Sequence, residues 1–558
     1  MLYPEFQLGT EIERPHLWTY FGMEDIERSF LDLSAEDGAV DLSLFLAYFR
    51  DEKEDLHDQL RVLLSKGLIT LNLVEYLFAP STLVLRRDKR GSEFEQAMKL
   101  VSWPIMTYKW PKRDAVTKQN LLNTQELKCN VRFAFKGLAW DYDSNFQEIK
   151  KDGEANQTFK GDTPFPISEL PFYPLQLAPE SIRKALVERG RMYWKCRRQR
   201  YVQYSGNDLE MVKHQPGTRF MVDMSTLRQF TTDGQSSNRL KDELGPAIMR
   251  SDEPPGGDFV LLLPSTIMGF DMQDKRWRKL LVSNISDVVW DQDSFNTLVL
   301  PADTKDLIIA LVTNKIAADQ STDFFQGKGT GLVILFHGAP GTGKTLTAES
   351  VAELAKKPLY RVTCGDVGTE PDKVEKYMRF VLQIGKAWDC VVLIDEAEVF
   401  LQERALNDIQ RNALVSVFLR TLEYYDGILV LTSNRVGTFD EGFKSRIQLA
   451  IHYEKLTHSS RERVWENFIN RLESFHSDDI DIRDLRRHLK DLAKFEMNGR
   501  QIRNAVTTGR QLAMYYKKAL DFDCMKHVIG VSSRFDRYLT GINEGMDDED
   551  VAREDRLR

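Results

Sequence analysis

The chain has 558 residues, longer than one ordinary domain, and its 42% apolar and 29% charged residues allow it to bury ordinary cores. A net charge of −8 weighs against a generic nucleic-acid binder, which is more often basic. The cysteines (Cys129, Cys196, Cys364, Cys390 and Cys524) are scattered with no C-x-x-C pair, which argues against a disulfide framework and fits a reducing compartment, cytoplasmic or nuclear.

The opening MLYPEFQLGTEIERPHLW has no basic stretch followed by an apolar one, so no secretory leader is expected. No apolar run approaches the roughly 20 residues of a membrane span. Residues 1–284 read as a mixed α/β domain. Helical patterns lie near 41–65 and 179–200, and strand-like runs at LITLNLVEYLFAP (68–80), KCNVRFAFKGLAWDYD (128–143), RYVQYSG (200–206) and TRFMVDM (218–224). Residues 231–258, rich in Gly, Pro, Ser and Asp, read as a long exposed loop. FVLLLP (259–264) and the stretch 268–285 read as further strands of the same unit.

Over 285–455 strands alternate with helices. Strands are placed at 331–337, 358–364, 390–395, 427–433 and 448–453, with helices near 304–317, 343–356, 371–386 and 407–424. That alternation predicts an α/β fold: a five-stranded parallel sheet with helices on both faces. From 456 to 541 the pattern is helical only, with Ser459 and Glu462 in capping-box spacing at the start of one helix and others over 482–495, 499–519 and 524–539. The charged tail 542–558 reads as disordered.

The stretch GLVILFHGAPGTGKTLTAES places Gly338-Ala339-Pro340-Gly341-Thr342-Gly343-Lys344-Thr345 between a buried strand and a helix. This is the context a phosphate-binding loop requires. Glycines let the backbone curl so that N–H groups face phosphate oxygens, and the helix N-terminus adds a favourable dipole. Lys344 then reaches the β- and γ-phosphates of ATP and the Thr345 hydroxyl ligates Mg²⁺. Further on, CVVLIDEAEVF ends a strand with Asp395 and Glu396. Adjacent residues at a strand end aim differently, so Asp395 suits the Mg²⁺ shell and Glu396 suits polarising an attacking water. A second carboxylate is what separates a hydrolase from a small-molecule kinase.

These two motifs, in this order, resemble the AAA+ ATPases. The resemblance covers about 285–540 and implies a P-loop core with a C-terminal helical lid. It also implies that Asn434, ending GILVLTSN, orients the lytic water, and that Arg446 in FDEGFKSRI is an arginine finger acting on a neighbouring subunit's ATP. Arg500 in FEMNGRQIRNAV takes the sensor position in the lid. Each also has a plain structural reading: a turn cap, a surface arginine, a local ion pair. The run RNALVSVFLRTLEYYDGILVLTSNR is similar to fungal AAA+ proteins that carry an N-terminal region of undefined function.

The resemblance implies a homo-oligomer, by expectation a hexamer, that uses Mg²⁺-ATP turnover to remodel a protein client gripped by the N-terminal domain. Two departures bear on this. The loop CGDVGTEPDKVEKYM lacks an aromatic before its helix, which makes peptide threading through a pore doubtful, and Lys444 stands where many relatives carry a further arginine. The basic stretch 179–200 admits an RNA surface with Tyr193 and Trp194 stacking, or a solvated helix face whose rings enter the core; the acidic whole favours the latter. Two alternatives stand beside the motor: a nucleotide-gated scaffold with little turnover, and a nucleic-acid-stimulated motor, against which the acidic balance counts.

Overall fold

The computed structural model describes residues 21, 56–87, 94–110, 128–231, 240–318, 331–367, 371–401, 409–423, 425–434, 439–473 and 479–542. Internal contacts divide the chain into two compact units, Met1–Val288 and Val289–Arg558. Among the described residues no helix is long and apolar enough to cross a membrane, and Cys129, Cys196, Cys390 and Cys524 are free thiols.

The N-terminal unit is built on two antiparallel sheets. β1 (Leu68–Ile69) pairs with β7 (Phe165–Pro166) as a short outlying ladder. The first sheet holds β2 (Leu83–Arg87), β3 (Phe94–Leu100), β4 (Ile105–Lys109), β5 (Lys128–Tyr142), β6 (Phe146–Lys160) and β8 (Phe172–Pro174), in the order β4-β5-β3-β2-β8 with β6 along β5. Along β5 the residues Cys129, Val131, Phe133 and Phe135 are buried while Lys128, Asn130 and Arg132 are exposed, the two-residue period of a strand with one face on a core. Phe78 closes over that face, its ring 4.9 Å from that of Phe135.

The second sheet holds β9 (Arg200–Asn207), β10 (Lys213–Val222), β11 (Thr266–Asp271), β12 (Trp277–Leu281) and β13 (Ile285–Asp287), in the order β12-β11-β10-β9-β13. The helix Glu180–Lys195 turns Tyr193 and Trp194 into the core, at 2% and 1% exposure, so these rings are packing residues and offer no surface for bases. Trp194 Nε1 donates to the Asp252 carbonyl at 3.1 Å.

Several elements differ from the sequence reading. LITLNLVEYLFAP is mostly a 3₁₀ helix, Leu71–Leu77, and FVLLLP contains another, Phe259–Leu262. Both are short runs buried on nearly every side, and such runs carry no period that separates strand from helix. The polar stretch 146–160, to which the sequence reading assigns no element, pairs with β5 from Phe146 to Lys160. Residues 240–258 are held in place: the Leu240 N–H donates to Asp143 and the Glu243 N–H to the Phe146 carbonyl, and Gly245–Arg250 is helical. Of the helix read at 41–65, the described part, 56–65, is helical. The tail from 543 lies outside the described residues.

A buried charge cluster ties the second sheet together. Asp208 Oδ2 lies 3.1 Å from His214 Nε2 and 3.3 Å from Arg278 Nη1, while its Oδ1 accepts the Val212 N–H at 2.9 Å. Asp208 is fully buried. Burial acts to raise its carboxyl, but the His214 and Val212 bonds and the charges of His214 and Arg278 outweigh it and hold the group below the usual carboxylate range. A carboxylate depressed by folding stabilises the fold above its unfolded pKa of about 4, and that contribution is lost as pH falls through the lower folded value. Asp208→Asn is therefore expected to flatten the acid limb of the N-terminal unit's stability–pH profile, read by urea melts between neutral and acid pH.

The C-terminal unit contains one parallel sheet: β14 (Leu332–Gly338), β15 (Leu359–Thr363), β16 (Val391–Asp395), β17 (Ile428–Ser433) and β18 (Leu449–Tyr453), in the order β15-β16-β17-β14-β18. Every pairing is parallel, so all five carboxyl ends share one edge, where open α/β sheets bind ligands. The strands β16 and β17 are buried throughout, as expected between two helical layers. Helices Ala302–Ala318, Lys344–Ala355, Pro371–Ala387 and Ile409–Glu423 accompany the sheet. Between His458 and Ile542 the described residues are mostly helical, and helices including His458–Glu473, Gly499–Tyr516 and Phe522–Ile542 close a separate core around Trp465, Leu492 and Ile502.

Candidate functional site

The site begins where β14 leaves the sheet. Gly338 has φ +134°, a conformation L side chains rarely adopt, and a Cβ there would lie 2.2 Å from the Tyr453 carbonyl oxygen of β18. Gly341 has φ +74°, and a Cβ on it would meet Asn498 at 2.7 Å. The loop thus curls between a neighbouring strand and the lid with no room for a side chain at Gly338 or Gly341. Gly343, itself at φ +107°, starts the helix Lys344–Ala355 and supplies no side-chain cap. The first-turn N–H groups and the positive end of the helix dipole face the loop, a ready anion site. Tyr453 braces this helix from β18, its hydroxyl donating to Thr347 Oγ1 at 2.8 Å, while Thr347 Oγ1 donates to the Gly343 carbonyl at 3.1 Å.

Lys344 is buried, and its ammonium donates to the carbonyls of Gly338 at 2.9 Å and Ala339 at 2.7 Å. It is held at the mouth of its own loop, alongside Pro340 and Thr342, whose hydroxyl donates to the Ala339 carbonyl at 2.8 Å. Next to it, Thr345 Oγ1 donates to Asp395 Oδ1 at 3.1 Å. The hydroxyl and the carboxylate proposed to share an ion are thus in contact, from segments 50 residues apart. His337, just before the loop, has its imidazole pKa lowered by burial, then by His452 and Lys344, which keeps it neutral beside the ammonium at neutral pH.

Glu396 follows Asp395 in a left-handed conformation, φ +59°, with its N–H donating to Thr432 Oγ1 at 3.1 Å. That turn, uncommon and costly for a non-glycine residue, carries the chain out of β16 and leaves the Glu396 side chain exposed at the carboxyl edge. Asn434 is half-buried, one residue beyond β17, whose Ser433 pairs with His337.

The two arginines come from other segments. Arg446 Nη1 donates to the Gly442 carbonyl at 2.7 Å and Nη2 lies 3.3 Å from Glu423, so its guanidinium is tethered within its own chain and partly exposed. Arg500 is exposed in the first turn of the helix Gly499–Tyr516. The lid touches the loop through the preceding residues: the Gly499 N–H donates to the Gly341 carbonyl at 2.9 Å. Asn498, packed against Gly341, caps the same helix by a reciprocal box with Gln501.

Three contributors escape a reading of the sequence: Thr432, whose hydroxyl donates to Asp395 Oδ1; Arg361, whose guanidinium binds Asp395 Oδ2; and the Asn498–Gly499 turn. Thr432 is the last residue but one of β17, near Asn434, a place a register would have flagged, but single-sequence patterns carry no register.

Residues 334–455 match the family described as ATPase family associated with various cellular activities (AAA), and residues 456–546 match the fungal AAA+ ATPase lid domain. The C-terminal unit carries an AAA+ ATPase module. The lid match begins directly after the AAA match ends, so the two together account for the sheet and the helical segment that touches its loop. Among curated proteins, the chain is 31% identical over 137 residues to the human ATPase family AAA domain-containing protein 3B, covering 24% of this chain and 21% of that one. It is 30% identical over 145 residues to the Caenorhabditis elegans ATPase family AAA domain-containing protein 3, covering 25% and 24%. With the Drosophila melanogaster ATPase family AAA domain-containing protein 3A homolog it shares 32% over 149 residues, again 25% and 24%. The likeness spans about a quarter of these relatives.

The approach of Gly338 to Tyr453 gives a direct check on the module. Gly338→Ala forces β14 and β18 apart at the loop mouth and should destabilise the C-terminal unit by about 3 kcal/mol. Denaturant unfolding of the full chain, followed by a probe in that unit, reads the effect.

Proposed function

We propose that the chain binds and hydrolyses ATP with Mg²⁺, as an oligomeric AAA+ motor that couples turnover to remodelling of a protein client. The observation that carries this is the convergence of an uncapped helix N-terminus, the Lys344 ammonium and the Thr345–Asp395 pair at one sheet edge. The donor set fits the ion: Mg²⁺ takes hard oxygen ligands, uses few from the protein, and completes its shell with phosphate and water. When bound, Mg²⁺ neutralises charge on the β- and γ-phosphates. The chain's own groups do the rest. Loop N–H groups of Gly341, Thr342, Gly343 and Lys344 cradle phosphate oxygens, and the Lys344 ammonium exchanges its carbonyl partners for them. Glu396, exposed at the edge, accepts a proton from water that Asn434 orients.

Arg446 serves a neighbouring subunit's site in this reading, leaving Glu423 to do so, and Arg500 senses the phosphate from the lid. The subunits form a hexameric ring. The Gly499–Gly341 bond gives the lid a direct hold on the loop, so a loop that changes shape with its ligand moves the lid. The N-terminal unit presents the client, and the free thiols support an intracellular setting, cytoplasmic or nuclear.

Lys344→Ala should lose nucleotide affinity, measured by equilibrium titration with a fluorescent ATP analogue; unchanged affinity sinks the loop assignment. Glu396→Gln should keep binding and lose turnover by roughly 10²-fold or more, whereas a nucleotide-gated scaffold would show no difference between this variant and wild type in phosphate release. Arg446→Ala should bind ATP without hydrolysing it, and mixing it with Lys344→Ala subunits should restore part of the activity at shared interfaces. No recovery in the mixture refutes the action in trans.

A further inference from the structure

The carboxylate of Asp395 has different partners on its two oxygens. Oδ1 accepts from the hydroxyls of Thr345 and Thr432, and Oδ2 is bound by Arg361 Nη2 at 2.5 Å. Arg361 lies on β15, the edge strand of the sheet, where Thr363 is the register partner of Asp395 and Arg361 that of Leu393. Side chains two apart on a strand share a face, and register partners in a parallel pair share it too. Arg361 and Asp395 therefore stand on the same side of the sheet, and the long arginine spans the two-residue offset. The Arg361 side chain is 47% exposed and that of Asp395 12%. The guanidinium keeps much of its hydration while holding a carboxylate that is largely out of water, so the pair pays little desolvation on the arginine side.

A carboxylate free to rotate would present either oxygen to an ion. Here Oδ2 is occupied from the β15 side by a charge-assisted bond, and Oδ1, which also accepts from Thr432, faces Thr345, the residue that would share the ion. We propose that Arg361 is a positioning residue for the metal carboxylate: by holding Asp395 through Oδ2, it keeps Oδ1 aimed at the Thr345 side of the site. This rests on the reading of the loop as a Mg²⁺-nucleotide site. In this proposal Arg361 acts through Asp395, as outer-shell partners of ligating carboxylates do.

The sign of the effect separates this role from simple electrostatics. Removing a positive charge next to a metal carboxylate would by itself strengthen cation binding. Removing a positioning group weakens it. The test uses the full chain and a fluorescent ADP analogue, titrated first without Mg²⁺ and then with increasing MgCl₂. For Arg361→Ala the Mg²⁺ concentration at half-maximal enhancement of binding should rise roughly tenfold, with Mg²⁺-free affinity within about twofold of wild type. Arg361→Lys, which keeps the charge and one donor direction, should recover part of the shift. An unchanged or lowered Mg²⁺ midpoint in Arg361→Ala overturns the proposal, as does an equal loss of Mg²⁺-free affinity, which marks a merely structural role. Should Arg361→Ala fail to fold by thermal melt, Arg361→Gln and Arg361→Lys carry the same comparison. Absence of any nucleotide binding by wild type fails the underlying site assignment instead, and is told apart because it appears before any variant is made.

Discussion

One carboxylate joins three distant segments of the C-terminal unit to its own strand. Asp395 accepts a hydroxyl from Thr345, 50 residues earlier, and another from Thr432, 37 residues later, and is gripped by Arg361, 34 residues before it. A buried acid needs partners, because an unpaired charge out of water is costly. Meeting that need pulls the helix Lys344–Ala355, the edge strand β15 and the strand β17 to one point. The parallel order β15-β16-β17-β14-β18 makes this possible, since it places every strand's carboxyl end on the same edge.

Around that point the backbone accepts unfavourable geometry. Gly338 lies against the Tyr453 carbonyl in a conformation closed to other residues, and Glu396 sits at positive φ although it is no glycine. Strain of this kind persists only when the surroundings over-determine it, and it clusters where chain direction must change to present a functional group. The lid shares in this arrangement through a backbone hydrogen bond from Gly499 to Gly341, backed by Asn498, which also caps the helix. The side chain that starts the lid helix thus packs against the loop that would hold the phosphates.

The N-terminal unit follows a different logic. Its core is aromatic, with Phe78, Phe133, Phe135, Phe146, Tyr193 and Trp194 packed between antiparallel sheets, and its buried charges pair with one another around Asp208. Among its described residues nothing resembles the arrangement around Lys344 and Asp395. Its long hairpin β5–β6 is polar on much of β6, because that strand exposes one face along much of its length.

The sequence alone specified the glycine-rich turn between a strand and a helix, the Asp395–Glu396 pair at a strand end, the α/β alternation of the core and the helical segment that follows it. Each is encoded locally: glycines at set spacings, an apolar run ending in acids, helical periodicity with capping residues. Only the tertiary structure decided that Arg361 and Thr432 belong to the Asp395 site, because register between parallel strands is set by crossover helices and packing rather than by either strand's own residues. It also turned two apolar runs, Leu71–Leu77 and Phe259–Leu262, into 3₁₀ turns and the polar stretch Phe146–Lys160 into a strand. In each case the environment on the far side of the chain, buried for the first two and solvated for the third, outweighed the local preference that the sequence displays.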